Sequence, residues 1–137
     1  MQKNQKMSEI IPFTNDSIQI IAYYANGNIS CQLSFFNRMK ISEIKYYNNG
    51  SLSEKTEYQN NLRHGNEKKY YPNEKLFSEK NYIYSNLDGE AILYFPNGNI
   101  KTKNFYKYGI MEGEQLRYNT KGEIISTTTY KNGTQIK

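Results

Sequence analysis

The 137-residue chain has no tryptophan, one cysteine, one histidine and three prolines. A lone cysteine, Cys31, excludes an internal disulfide framework. One histidine beside one cysteine leaves too few soft ligands for a transition-metal centre, and acids such as Glu54, Glu57 and Glu67 lack calcium-loop spacing. The glycines stand singly, never as a phosphate cradle before a helix. His64 falls in a predicted loop facing water and Cys31 in another repeat, so no catalytic pair is expected; the chain reads as non-enzymatic and without cofactors. No apolar run reaches the length of a membrane helix. The N-terminal stretch MQKNQKMSEIIPFTNDSIQIIAYY lacks the long apolar segment of a signal peptide. The expected location is cytoplasmic if the chain is full length and exported if a leader has been trimmed. Hydrophobic residues make up only 36%, which argues against a multi-layer core.

Aromatic rings take their place, with fourteen tyrosines and six phenylalanines. Positions 46, 58, 70, 82, 94, 106, 118 and 130 are all tyrosine, a beat of twelve. Tyr23 and Phe35 extend it upstream, but the step from Phe35 to Tyr46 is eleven, so one residue has been lost. Six residues past each tyrosine, Leu52, Leu76, Ile100 and Ile124 alternate with His64, Asp88 and Glu112, the latter followed by Gly65, Gly89 and Gly113. The repeat is therefore twenty-four residues with two unlike halves.

Asn26-Gly27, Asn49-Gly50, Asn97-Gly98 and Asn132-Gly133 supply the positive φ of tight turns, as does Asp88-Gly89, and Lys121-Gly122 fits the same slot. Twelve residues less a turn leave seven or eight, enough for a strand and too few for a helix with its connections. The expected fold is all-β: an elongated, single-layer antiparallel meander of about ten strands built from β-hairpin repeats. Residues 1–21 form a tail and cap, with Met1 to Ser8 disordered. Residues 22–137 form one repeat domain, divided near 23–45, 46–69, 70–93, 94–117 and 118–137.

Side chains alternate faces along a strand. Counting parity through the turns puts the even positions, the tyrosine series with Leu52, Leu76, Ile92, Ile100, Leu116 and Ile124, on one apolar stripe. Tyr46, Tyr58, Tyr70, Tyr82, Tyr94, Tyr106, Tyr118 and Tyr130, with Gly50, Gly65, Gly89, Gly98, Gly113 and Gly122, are read as scaffold. Tyr47, Tyr71, Phe77, Phe95 and Phe105 fall on the sparser odd face, among Lys, Glu and Asn, and are the candidate partner-binding surface.

The segments YYNNGSL, YYPNEKL and YFPNGNI, each followed by Tyr58, Tyr82 or Tyr106 and then Gly65, Gly89 or Gly113, resemble MORN repeats (membrane occupation and recognition nexus). The likeness is greatest to the variant found in bacterial antitoxin-component proteins. Glu74 stands at a turn-glycine position, Ile41 where the strand glycine recurs, and the Gly-x-Trp of many eukaryotic units is absent. The resemblance implies a hairpin per repeat joined into one twisted sheet, acting as a protein-interaction module of antitoxin or immunity type, with a toxin encoded nearby as partner. A peripheral membrane or phosphoinositide binder is the alternative, in keeping with the net charge of +5. Nucleic acid comes third, since basic and aromatic residues interleave without a reading motif.

Overall fold

β-Branched and aromatic residues between short polar turns generate thirteen strands in the computed structural model, which describes residues 8–14 and 16–136. They are β1 (Ser8–Thr14), β2 (Ser17–Tyr23), β3 (Ile29–Phe36), β4 (Met39–Tyr46), β5 (Leu52–Gln59), β6 (Leu62–Tyr70) and β7 (Leu76–Ile83). There follow β8 (Asn86–Tyr94), β9 (Ile100–Lys107), β10 (Ile110–Met111), β11 (Gly113–Tyr118), β12 (Ile124–Lys131) and β13 (Thr134–Ile136). All lie in one open antiparallel sheet, each strand beside its sequence neighbour; β10 and β11 both pair with β9, on either side of Glu112. The all-β meander is thus present, with thirteen strands where about ten were expected. The proposed disorder of the first residues lies outside the described residues, except that Ser8 begins β1.

Two turn types alternate, one along each edge. From the second residue of each aromatic pair, and from Asn119 after Tyr118, a backbone N–H donates four residues ahead: Tyr24 to Asn28, Tyr47 to Ser51, Tyr71 to Lys75, Phe95 to Asn99 and Asn119 to Glu123. This is a type I turn closed by a left-handed residue, a role filled by Gly27, Gly50, Gly98 and Gly122 and, at φ 71°, by Glu74. The opposite edge consists of two-residue tips with both residues at positive φ, as in Asn60-Asn61 (51°, 63°) and Tyr84-Ser85 (41°, 70°).

Asp88-Gly89 corrects the turn assignment, because it lies inside β8. Thr56 pairs with Glu67 and Tyr58 with Arg63, so one residue of β5 faces three of β6, His64, Gly65 and Asn66. The same bulge sets Asn81 against Asp88, Gly89 and Glu90. Gly65 (φ 107°), Gly89 (90°) and Gly113 (80°) supply the left-handed residue that such a bulge requires. In β4 the bulge is one residue shorter: Leu33 pairs with Glu43 and Phe35 with Lys40. The missing residue is absorbed there, which is why Ile41 stands where glycine recurs.

The register also overturns the single even-numbered stripe. Thr56, Glu67, Lys80, Ala91 and Asn104 are successive partners across five strands and share a first face. Lys55, Lys68, Glu79, Ile92, Lys103 and Leu116 share the second. Partner numbers in these hairpins sum to an odd value, so even positions change face at every strand. Tyr58, Tyr82, Tyr106 and Tyr130 therefore occupy the first face and Tyr46, Tyr70, Tyr94 and Tyr118 the second. The beat of twelve is two interleaved ladders of twenty-four.

A one-layer sheet has almost no apolar interior. Ile21 and Ala91 are the buried hydrophobics among the described residues, while Thr56, Glu67 and Ser78 are each 1% exposed. The repeats are instead tied edge to edge. Tyr24, Tyr47 and Tyr71 donate their hydroxyls to the carbonyls of Tyr46, Tyr70 and Tyr94, one repeat ahead. Asn73 and Asn97 likewise reach the carbonyls of Pro96 and Thr120.

Candidate binding surfaces of the sheet

Four of the five rings read as a partner surface cluster near the aromatic-pair edge. Tyr47, Tyr71 and Phe77 line an open groove of about 400 Å³ with Ser53, Glu54, Lys69 and Tyr70. Phe77 meets Tyr71 edge-on at 5.1 Å between centroids and is 42% exposed. Phe95 occupies the place of Tyr71 one repeat on, with Lys101 Nζ 5.8 Å from its ring centre. Phe105 stands apart on the second face opposite Glu90, in a separate groove of about 230 Å³ with Lys103, Glu114 and Leu116. The expectation of one odd-numbered face carrying all five rings is corrected by the same parity change. Tyr47 and Tyr71 also have a structural task, since their hydroxyls join repeats.

The first face carries two triads of cation, carboxyl group and tyrosine. Lys40 Nζ lies 3.1 Å from Glu43 Oε2 and 4.0 Å from the centre of the Tyr58 ring, and the Tyr58 hydroxyl donates to the same carboxylate at 3.1 Å. One repeat on, Arg63 sits 5.4 Å from the Tyr82 ring centre and 3.7 Å from Glu67. Burial alone would raise the Glu43 carboxyl pKa, but the hydrogen bond and charge of Lys40, with Lys45, hold it below the ordinary range. Burial, then the charge of Glu67, pushes the Tyr82 phenol up. On the second face, burial and then Glu79 do the same for Tyr94.

His64 corrects the loop reading, for it belongs to β6 and its Nδ1 accepts from the Tyr84 backbone N–H at 3.2 Å. Asp88 accepts from the N–H of Tyr108 at 3.0 Å and Glu112 from that of Asn132 at 2.7 Å. Three unlike residues twenty-four apart thus do one job, docking the next hairpin tip by an acceptor. Cys31 lies half-buried in β3, its thiol pKa raised by burial and then by Glu43. Among the described residues no three His, Cys, Asp or Glu side chains gather at one point, and no helix is long and apolar enough to cross a membrane.

Sequence reasoning missed the tip edge. Met39, Leu62, Tyr84, Tyr108 and Ile110 all lie there and are 42–63% exposed. The signal was available: Tyr84 and Tyr108 are twenty-four apart at a position where Asn37, Asn60 and Asn132 stand in the other tips.

The family model described as MORN repeat variant matches residues 42–60, 63–84, 87–108 and 111–132. The latter three segments each run from one two-residue tip to the next, so the matched unit is strand, aromatic pair, turn and strand. No curated protein matches the chain.

Proposed function

Because the chain belongs to the MORN repeat variant family, whose repeats are protein- or membrane-interaction modules, we propose that its sheet is a non-enzymatic docking platform for another protein. The partner we favour is a toxin, which would make the chain an antitoxin- or immunity-type protein. The observation carrying the protein-binding reading is the Tyr47–Tyr71–Phe77 groove, where an exposed ring adjoins Glu54 and Lys69 on a rigid frame. Rings held at low entropic cost beside charges are what protein interfaces concentrate. Phe95 and Phe105 extend the candidate surface along and across the sheet.

Co-expression with the product of the neighbouring gene is expected to yield a stoichiometric complex that Phe77→Ala weakens at least tenfold. If neither that product nor any toxin-like protein from the same locus co-purifies, the antitoxin reading is overturned. A second reading, attachment to anionic lipid, draws on the net charge of +5. Sedimentation with liposomes that does not depend on anionic lipid overturns it.

A further inference from the structure

We propose that the two-residue tip edge is a separate docking rail for an amphipathic α-helix of a partner, with an apolar seam flanked by acidic residues. Register places the terminal pairs Phe36–Met39, Gln59–Leu62, Ile83–Asn86 and Lys107–Ile110 on the second face, one pair at each tip. Leu62, Tyr84, Tyr108 and Ile110 are 42%, 44%, 63% and 50% exposed, so the row is apolar and open.

Backbone strain marks the same row. Tyr84 and Tyr108 hold φ at 41° and 48°, a region costly to a bulky residue and cheap for asparagine. The Tyr84 ring stacks on His64 at 4.5 Å. The Tyr108 backbone N–H docks on Asp88, but its ring is 63% exposed and has no hydrogen-bond or ring partner among the described residues. A bulky ring in that backbone region, where asparagine would serve the turn, points to use.

Spacing and charge choose the occupant. Successive tips are two strands apart, about 9.6 Å at the usual strand separation. A helix repeats its apolar seam every seven residues, about 10.5 Å. The right-handed twist of the sheet turns the rail, so a straight helix meets two or three tips, roughly 14 to 21 residues. Exposed Arg38, Lys107 and Lys131 flank the row and form no ion pair among the described residues. Asp88 and Glu112 in contrast are engaged by backbone N–H groups. Acidic flanks on the helix match this arrangement. The regular spacing of the tips matches a helix repeat and has no counterpart in a bilayer, which favours the helix.

This inference rests on the reading of the chain as a protein-binding module but uses other residues than the Phe77 groove. The test uses a synthetic peptide of about 21 residues, three heptads with Leu at a and d and Glu at e and g, the glutamates preventing self-pairing. Fluorescence anisotropy against the full chain is expected to show saturable one-to-one binding. Tyr108→Asn and Leu62→Ser should each weaken it at least fivefold, and Phe77→Ala should leave it unchanged. Tyr108→Asn should keep or raise Tm, separating lost binding from lost folding. No saturation by about 1 mM peptide overturns the proposal. So does equal binding of the Lys-for-Glu peptide, or loss through Phe77→Ala instead. Sedimentation with phosphatidylserine vesicles that Tyr108→Asn abolishes, without peptide binding, would make the edge a lipid surface and overturn it as well.

Discussion

The tyrosine ladder of the first face has charged companions in one half and uncharged ones in the other. Where Tyr58 and Tyr82 meet Lys40 with Glu43 and Arg63 with Glu67, the equivalent positions one and two repeats on hold Leu87 with Ala91 and Met111 with Gln115. The backbone is closely similar in both halves, with equivalent turns and bulges apart from the shorter bulge at Ile41. One scaffold therefore accepts two kinds of packing around its tyrosine ladder. The lesson is that the repeat specifies a ring and a bulge, and leaves open what covers the ring.

In repeat arrays stability is close to a sum over units and their interfaces, so the halves can be probed one by one. Arg63→Ala leaves the Glu67 carboxyl group, 1% exposed, without its cation. The cost should be about 2 kcal/mol in urea unfolding, less than for a fully buried pair because the Arg63 side chain is 45% exposed. Leu87→Ala, its apolar counterpart, should cost about 1 kcal/mol, since Leu87 is only half-buried. Equal costs would erase the distinction between the halves.

A finer comparison uses the bulge glycines. A Cβ at Gly65 would collide with the Glu57 carboxylate and stand 3.2 Å from Glu57 Cβ, whereas one at Gly89 meets nothing within 4 Å. Both positions carry the left-handed penalty, so Gly89→Ala should cost about 1 kcal/mol and Gly65→Ala roughly 1 kcal/mol more. Thermal melts of the two variants check the difference; identical melts would mean Glu57 moves away freely.

The smallest effect is that of pH. The folded Glu43 carboxyl lies below its ordinary value of 4.5, so its contribution is fully present above that value and lost as pH falls through the folded one. Hydrogen exchange in β4 and β5 should quicken at acid pH before that in β9 and β11. Glu43→Gln should remove the lead, and uniform acid loosening would show that the triad does not matter.

Much of this was legible in the residues. Tyrosines twelve apart, Asn-Gly pairs and segments of seven or eight residues implied the antiparallel meander, because turn chemistry and strand length are local properties. The short bulge at Ile41 was foreshadowed by the eleven-residue step from Phe35 to Tyr46. Face assignment was not legible, since even parity was carried through hairpins whose partner numbers sum to an odd value, so that even positions change face at every strand. The clustering of Tyr47, Tyr71 and Phe77, and the isolation of Phe105, followed from register in the same way.

Residues close together in the chain were enough to set the repeat length, the strands, the turns of the aromatic-pair edge and the family. Tertiary structure alone decided which tyrosines share a face. It also decided that His64, Asp88 and Glu112 dock the next tip and that exposed apolar residues line up along one edge. Those relations depend on pairing across strands about twenty residues apart. There a single unpaired residue reverses every side chain beyond it.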